Sequence, residues 1–205
     1  VFRGMDIGSA KPGAALQAMA PHELIDLVNP NETFSTGRYV AEATAALARC
    51  DEAGRTAVFT GGTSLYWWAL VDGFFDGPGA DWEWRNGLRS RGDRESWPVL
   101  HKELAVSDPA AAKRIHPNDH RRIERALEVL HLTGRPITDL QQESPALLDG
   151  RTVIAVKIDV PRRVLHERIA DRTHEMMREG LLDEVRGLLS KYGELSKQAG
   201  QAINY

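Results

Sequence analysis

Residues 56–63 read Thr56-Ala57-Val58-Phe59-Thr60-Gly61-Gly62-Thr63, and an aromatic stretch follows them. The first five residues form a short, mostly apolar run, which is typical of a buried strand. Two glycines then interrupt the run, and the aromatic residues that follow begin a predicted helix. A strand, a turn and a helix in this order are half of a βαβ unit, which favours a parallel sheet covered on both faces. Ligands of such sheets bind at the carboxyl ends of the strands, so we expect Gly61, Gly62 and Thr63 to lie there.

Segments on either side fit the same α/β core. Residues 33–53 have apolar residues at helical spacing, with Ser35 or Thr36 as a possible N-cap and Gly54 where the helix would stop. Residues 151–159 read as a second, mostly apolar strand. Together these segments predict an α/β fold with a parallel sheet.

The C-terminal part of the chain is predicted to be helical. Pro161 suits the first turn of a helix, where its missing N–H group has no helical partner to lose. We expect the final helices over residues 162–191, with a break near Gly180. Residues 192–205 then read as a loop that enters a further helix.

A long helical segment separates the two predicted strands. Its helices are predicted near 82–91, 97–105, 108–115 and 119–132, and no convincing strand interrupts them. We therefore predict that residues 80–147 form a helical insertion. Residues 1–79 and 148–205 would then form one α/β core, which is incomplete within this chain.

Composition and charge narrow the class of protein. The 205 residues are 42% hydrophobic and 27% charged, which is ordinary for a soluble globular protein. A net charge of −3 excludes a uniformly basic nucleic-acid coat but allows a local basic face. The single cysteine, Cys50, cannot form an internal disulfide, which fits a reducing cytoplasm and a buried thiol. Because no apolar run approaches the roughly 18 residues that span a bilayer, we expect a cytoplasmic protein that binds no membrane.

The Gly-Gly-Thr turn is a candidate anion site. Glycines let backbone N–H groups approach an anion closely, and Thr63 would add a hydroxyl at a helix N-terminus. The same pattern fits a plain strand-to-helix turn equally well, and the phosphate-binding pattern G-x-x-x-x-G-K-[ST] occurs nowhere in the chain. The aromatic residues 66–68 would ordinarily be core, or else a wall for an apolar substrate or a base.

A basic helix start follows residue 116, and Asn118 or Asp119 can cap it. Between residues 113 and 125 five basic residues face two acidic ones, a local net charge of +3: Lys113, Arg114, Arg121, Arg122 and Arg125 against Asp119 and Glu124. Cations near a helix N-terminus oppose the helix dipole unless an anion offsets them. Two interpretations stay open, a solvated surface and a face for RNA or phosphate.

A second arginine pair lies further along the chain. Arg168 and Arg172 are four residues apart on a predicted helix, so they lie on one side of it. They would clamp phosphate as planar forks, or pair with the acidic residues Glu167, Asp171 and Glu175. The histidines show no metal-ligand spacing with one another or with Cys50, so we assign no zinc site.

Five segments, in order, resemble the tRNA dimethylallyltransferase (tRNA isopentenyltransferase) family. They are Gly4-Met5-Asp6-Ile7-Gly8-Ser9-Ala10-Lys11-Pro12, Gly61-Gly62-Thr63-Ser64-Leu65-Tyr66, residues 116–129, Gly180-Leu181-Leu182-Asp183-Glu184-Val185 and Ala202-Ile203-Asn204-Tyr205. The resemblance implies a P-loop NTPase-like parallel sheet core with an inserted helical domain. It implies transfer of a dimethylallyl group from dimethylallyl diphosphate to N6 of the adenosine 3′ of the anticodon in tRNA. It also implies that Mg²⁺ assists the diphosphate.

The resemblance assigns roles to individual residues. It places Thr63 at the reaction centre, and Gly61, Gly62, Arg168 and Arg172 beside the diphosphate of the substrate. It implies tRNA contacts at the following positions: Lys11, Arg85, Arg121, Arg122, Ile123, Glu124, Arg125, Gln201, Ala202, Ile203, Asn204 and Tyr205. The expected partners are a tRNA anticodon stem-loop and dimethylallyl diphosphate, and the chain is expected to be a monomer.

The chain also departs from the family pattern. The family's phosphate-binding loop and its presumed catalytic Asp are not among these 205 residues, and neither are its C-terminal helices. Phe2 stands where the pattern commonly has Tyr, Arg121 where it has Gln, and Asn204 where it has Gly. We therefore expect these 205 residues to bind substrate poorly and to be inactive alone.

Two other functions remain open. One is an adenylate isopentenyltransferase that acts on a free nucleotide. The basic helix start and the long helical insertion favour a polymeric RNA substrate over this alternative. The other is a non-catalytic RNA-binding remnant. Binding to an anticodon stem-loop compared with binding to AMP separates the first of these from a tRNA enzyme.

Overall fold

The computed structural model describes residues 1–144, 146–202 and 205. Eleven helices lie within these described residues: α1 Ala14–Met19, α2 Thr36–Glu52, α3 Ser64–Val71, α4 Trp82–Glu95, α5 Trp97–Ser107, α6 Pro109–Arg114, α7 His120–Thr133, α8 Ile137–Gln142, α9 Arg162–Glu179, α10 Leu181–Tyr192 and α11 Lys197–Gly200. Two compact units divide the chain. The first unit is Val1–Gly62 with Thr152–Tyr205, and the second unit is Thr63–Arg151. The predicted insertion, residues 80–147, lies inside the second unit, and its boundaries stay predictions.

The second unit has its core between α4, α5, α6 and α7. The apolar faces of these helices bury Leu88, Trp97, Leu100, Leu104, Ala111, Ala112, Ile123, Ala126 and Leu127. Gly92 lets α4 and α5 approach closely, since a Cβ atom there would lie 2.6 Å from the Trp97 ring. The four helices that the sequence predicts within this segment are confirmed.

Side-chain caps determine where several helices begin. Oγ of Ser35 accepts the N–H of Arg38 at 3.1 Å at the start of α2. The carboxylate of Asp119 accepts the N–H of Arg122 at 3.2 Å at the start of α7. Each bond satisfies a backbone donor that has no partner inside the helix. Ser35 and Asp119 are therefore the caps among the predicted alternatives, and Gly54, with φ +61°, follows the end of α2 as predicted.

The first unit has two smaller buried clusters. One face of α2 buries Ala43, Ala46 and Leu47. Elsewhere Met5, Leu188 and Ala199 are buried together, with Phe2, Tyr192, Leu195, Ala202 and Tyr205 packed around them. Gly180, with φ +100°, separates α9 from α10, which confirms the predicted break. Helix α1 was not predicted from the sequence.

The two predicted strands have no partners in the part of the chain that the structure describes. There the β-pairing is a single isolated bridge between Phe2 and Val28. The apolar side chains of both segments face solvent, with Val58 80% exposed and Ile154 85% exposed. A strand needs the backbone of a neighbour to bond its N–H and C=O groups, and an apolar run does not say where that neighbour comes from. The prediction of paired strands over residues 56–60 and 151–159 is wrong for this structure, and a parallel sheet core is not confirmed.

Two further sequence predictions concern the chain as a whole. Cys50 is a free thiol on α2 that is half-buried, not fully buried as predicted. None of the helices in the described ranges is both long enough and apolar enough to cross a membrane.

Candidate functional site

The N-terminal end of α7 carries two exposed arginines of the basic segment. His116, Asn118, Asp119, His120 and Arg121 line a surface pocket there. Arg121 is exposed, and the guanidinium of Arg122 lies 3.2 Å from the cap residue Asp119, with its side chain 74% exposed. This end of α7 thus presents two arginine side chains to solvent, where an anion can reach them.

The position of α7 is fixed by an aromatic contact. The ring of His120 stacks on Trp97, a core residue of α5, with the ring centroids 4.4 Å apart. His101, also on α5, has its Nε2 atom 3.0 Å from the carbonyl oxygen of Ala112 and 2.8 Å from that of Ile115. These contacts hold both the end of α6 and the start of α7 against α5, so the turn that precedes the arginines of α7 is anchored on both sides.

Two buried carboxylates lie on the inner side of α7. Glu128 is fully buried, and its oxygens accept hydrogen bonds from Arg85 at 2.7 and 2.6 Å and from Arg125 at 2.7 Å. The backbone N–H of Asp81 donates to the same carboxylate at 2.9 Å. Glu124, 5% exposed, accepts from Arg89 at 2.5 and 2.9 Å. We call the five charged side chains Arg85, Arg89, Glu124, Arg125 and Glu128 the arginine–glutamate network.

The network keeps the Glu128 carboxylate ionised. Burial alone would raise the pKa of Glu128, but the hydrogen bonds from Arg85, Arg125 and the backbone of Asp81 outweigh burial and lower that pKa. A buried carboxylate that loses one such partner is strongly destabilising. The network therefore fixes the arginines of α4 and α7 in place, and it leaves a formal charge of +1 among its five members.

The network includes three positions predicted to contact tRNA. Arg85 and Arg125 are held by Glu128, and Arg125 also donates to the carbonyl oxygen of Pro78 at 3.0 Å. Glu124 is buried against Arg89. A fourth predicted contact, Ile123, is fully buried in the core of the second unit, so its side chain packs inside the protein in this structure. Arg89 and Glu128 were not identified from the sequence, although Arg85–Arg89 and Glu124–Glu128 share the four-residue spacing of one helix side.

The Gly-Gly-Thr turn is open to solvent. Gly61 and Gly62 are exposed, and a Cβ atom at either would meet nothing within 4 Å. Thr63 is the N-cap of α3, but its side chain makes no capping hydrogen bond, so its hydroxyl does not serve the helix. Trp67 and Trp68 are 37% and 54% exposed, which does not support a core role for these aromatic residues.

Lys11 is held inside the first unit. Its side chain is 9% exposed, and its ammonium donates to the carbonyl oxygen of Phe2 at 2.9 Å and to Asp26 at 2.5 Å, with Asp6 as a third partner. Burial lowers the pKa of Lys11, but the hydrogen bonds to Asp26 and Asp6 outweigh it and raise that pKa overall. The Lys11 ammonium thus already closes a loop of its own chain. This arrangement does not support its predicted role as a contact to RNA or phosphate.

Glu184 organises the opening segment of the chain. At the first turn of α10 its carboxylate accepts the backbone N–H groups of Asp6 at 3.1 Å and Ile7 at 2.9 Å, and Tyr205 Oη donates to the same group. These hydrogen bonds lower the pKa of Glu184 although burial would raise it. Burial and the bond to Glu184 raise the pKa of Tyr205, so its phenol stays protonated.

The C-terminal positions predicted to contact tRNA are only partly described. Gln201 is exposed, Ala202 is half-buried, and Tyr205 packs into the cluster of Met5 and Leu188. Ile203 and Asn204 lie outside the described residues.

Arg168 and Arg172 are exposed on α9. Two of the acidic residues proposed as their partners are occupied otherwise. Glu167 accepts from Arg163 at 2.6 Å, and Glu175 pairs with Arg178. Ion pairs of Arg168 and Arg172 with Glu167 and Glu175 are therefore not supported.

The candidate residues do not form a metal site by themselves. Among the described residues no group of three or more His, Cys, Asp and Glu side chains is placed to hold a metal ion. Gly61, Gly62 and Thr63 supply backbone N–H groups and one hydroxyl, which suit a diphosphate better than a bare cation. The residues present do not fit Mg²⁺, so no chemical step is assigned to it here, and its participation stays a prediction.

Comparison with known proteins gives consistent matches over the whole chain. The family model described as IPP transferase matches residues 1–205. The tRNA dimethylallyltransferase of Methylococcus capsulatus is 47% identical over 198 residues, which are 96% of this chain and 63% of that protein. The protein of the same name from Dechloromonas aromatica is 44% identical over 193 residues, 94% of this chain and 62% of that protein. The chain thus spans somewhat less than two thirds of the length of these relatives.

Solved structures give the same picture. A full-length tRNA isopentenylpyrophosphate transferase from Bacillus halodurans is 37% identical, with a TM-score of 0.62, and the match covers all of this chain and 63% of that one. A eukaryotic dimethylallyltransferase described as acting on tRNA has a TM-score of 0.71 at 22% identity, covering 98% of this chain and 50% of that one. The second likeness concerns the fold alone.

Proposed function

The chain belongs to the IPP transferase family, and on that premise we propose that it takes part in transferring a dimethylallyl group from dimethylallyl diphosphate to N6 of an adenosine in tRNA. The adenosine is the one 3′ of the anticodon. The C–O bond to the diphosphate breaks, a C–N bond to N6 forms, and N6 loses a proton. The proposal includes a P-loop-like α/β core and a cytoplasmic, monomeric protein.

The observation that carries the proposal is the exposed basic start of α7. Arg121 and Arg122 face solvent above a turn that is anchored by His101 and His120, so their positions are defined while their charges stay accessible. RNA backbones are bound by such side chains, because phosphate contacts supply most of the affinity. A free nucleotide needs far fewer cations. The same feature therefore favours the tRNA reaction over transfer to a free adenylate.

The other candidate residues fit the leaving group. Gly61 and Gly62 carry no side chain, so their N–H groups can approach a diphosphate, and Thr63 has a hydroxyl that its helix does not use. Arg168 and Arg172 present guanidinium groups on one side of α9. In the proposed reaction these groups bind the diphosphate oxygens on which negative charge develops.

RNA binding tests the proposal directly. Although these 205 residues are expected to bind substrate poorly, we expect weak binding of an anticodon stem-loop that fluorescence anisotropy detects, and still weaker binding of AMP. Changing Arg121 and Arg122 together to Ala should weaken RNA binding and make its salt dependence shallower, since about one counterion is released per phosphate contact. Arg94→Ala, at an exposed position at the end of α4, is the matched control. Equal affinity for AMP and the stem-loop would contradict the proposal in favour of a free-nucleotide enzyme.

Turnover is a separate question. Mass spectrometry of tRNA incubated with the chain, dimethylallyl diphosphate and Mg²⁺ would detect the added five-carbon group. The prediction that these 205 residues are inactive alone is contradicted by any product above the no-protein control. RNA binding without product fits both an incomplete enzyme and a non-catalytic RNA-binding protein. Adding the flanking sequence found in the relatives then separates these two.

A further inference from the structure

Trp82 is an exposed aromatic residue beside the arginine–glutamate network. It is the first residue of α4, and 59% of its surface is exposed. The guanidinium carbon of Arg85 lies 5.1 Å from the centroid of the indole, and that of Arg89 lies 5.8 Å from it. Both arginines follow Trp82 on the same side of the helix, at i+3 and i+7. The indole therefore stands against two cations and keeps a large open surface.

The two cations are fixed in position. Arg85 forms a two-pronged pair with the fully buried Glu128, and its own side chain is 16% exposed. Arg89 forms the same kind of pair with Glu124, with N–O distances of 2.5 and 2.9 Å. A bidentate pair defines the plane of the guanidinium, because both hydrogen bonds must be satisfied at once. Trp82 thus rests on a layer whose geometry is set by buried carboxylates and not by solvent.

Such a surface matches the chemistry of an unpaired base. Every nucleobase has a flat face that stacks on an aromatic ring, and this contact is independent of base identity. Nearby guanidinium groups strengthen it and attract the adjoining phosphate. A base inside a duplex is covered by its neighbours and cannot stack in this way. The feature thus distinguishes the looped part of an RNA from its paired stem.

We propose that Trp82, supported by Arg85 and Arg89, is a stacking platform for an unpaired nucleobase of the bound RNA. The inference rests on the proposed function, since it assumes that RNA is the ligand. It adds a residue and a mode of contact that the family resemblance does not supply. In the alternative, structural role the indole shields the Arg85–Glu128 pair from water, and this role makes a different prediction. Removing the ring would then lower stability without changing the preference for a loop.

The test compares Trp82→Ala and Trp82→Phe with the unaltered chain. Anisotropy is measured with a stem-loop, with the same stem closed as a full duplex, and with a stem-loop whose loop nucleotides lack bases. Trp82→Ala should weaken binding to the stem-loop about 5- to 100-fold, the range that base stacking on an aromatic ring gives. Its affinity for the duplex and for the abasic loop should stay unchanged. Trp82→Phe should recover much of the lost stem-loop affinity. Val106→Ala, at an exposed apolar position on α5, should leave that affinity unchanged.

Fluorescence gives a second readout that does not depend on affinity. Stem-loop binding should quench indole emission in the unaltered chain and quench it less in Trp82→Phe. An unchanged affinity of Trp82→Ala for the stem-loop would overturn the inference and leave the proposed function intact. If Trp82→Ala lost the same amount of affinity for the stem-loop, the duplex and the abasic loop, the inference would be overturned as well, in favour of a structural role. Failure of the unaltered chain to bind any RNA would overturn the proposed function together with the platform.

Discussion

Arg85 and Glu128 form a two-pronged ion pair between α4 and α7, with Nε and Nη2 of the arginine 2.7 and 2.6 Å from the two carboxylate oxygens. The residues are 43 positions apart in the chain, and Glu128 is fully buried. The pair therefore joins two helices of the second unit through a fully buried carboxylate and a guanidinium whose side chain is 16% exposed. Because Arg85 also lies over Trp82, one buried carboxylate links the fold to a candidate RNA surface.

Glu128→Gln should lower the free energy of unfolding by about 3 kcal/mol, because it leaves the half-buried guanidinium groups of Arg85 and Arg125 without their full counter-charge inside the protein. Urea denaturation followed by circular dichroism measures the change. The control is Glu143→Gln, which weakens the exposed Arg135–Glu143 pair and should have a much smaller effect. Equal effects of the two substitutions would show that Glu128 contributes no more than a surface pair does.

The opening segment should loosen in acid. Hydrogen bonds lower the pKa of Glu184 below its ordinary value of 4.5, so its contribution to stability is complete above that value and is lost as the pH falls through the folded pKa. The part of the stability that Glu184 supplies should thus be lost as the pH falls below 4.5, and Glu184→Gln should show a smaller drop over that range. Glu194→Gln, at an exposed position in the same unit, should keep the full drop. Identical pH profiles for all three proteins would remove Glu184 from the explanation.

Sequence patterns predict the helices of this chain well, because their signals are local. Ser35, Asp119 and Gly180 each mark a helix end through a bond or a dihedral angle within a few residues. The strand predictions are wrong because the signal they need is not local. Residues 56–60 and 151–159 have the composition of strands, but pairing depends on a backbone elsewhere in the chain, which composition does not reveal.

In the candidate site, too, local features were predictable from the sequence and tertiary contacts were not. The family resemblance points to Arg85 and Arg125, yet their shared partner Glu128 emerges only from the packing of α4 on α7. The exposure of Trp82 is likewise a tertiary property, since an aromatic residue at a helix start is as easily buried. Chemistry carried by residue type is thus visible in the sequence, whereas the neighbours that orient it are not.

Gly8→Ala should disturb the packing of Tyr205. A Cβ atom at residue 8 would overlap the Tyr205 ring, so the ring must move away from Glu184. We expect a loss of about 1 to 3 kcal/mol in unfolding free energy, as for other overpacked positions. The loss should largely vanish when Tyr205→Ala is also present, which a double-mutant cycle in urea would measure. Gly13→Ala is the control, since a Cβ there meets nothing within 4 Å, and full additivity in the cycle would contradict the predicted overlap.

Lys11→Ala separates a structural role from an RNA-contacting one. The ammonium joins the carbonyl oxygen of Phe2 to Asp26 and Asp6, so its loss removes these three bonds, although the exposed carboxylates of Asp6 and Asp26 stay accessible to water. We expect a loss of about 1.5 to 3 kcal/mol in stability, the range for hydrogen bonds that involve a charged group. Stem-loop affinity, measured where the variant is fully folded, should stay within about twofold of the unaltered chain, which is under 0.5 kcal/mol. Lys157→Ala, at an exposed lysine of the same unit, should change neither quantity. A large fall in RNA affinity with unchanged stability would instead place the Lys11 ammonium on the RNA, as the family resemblance implies.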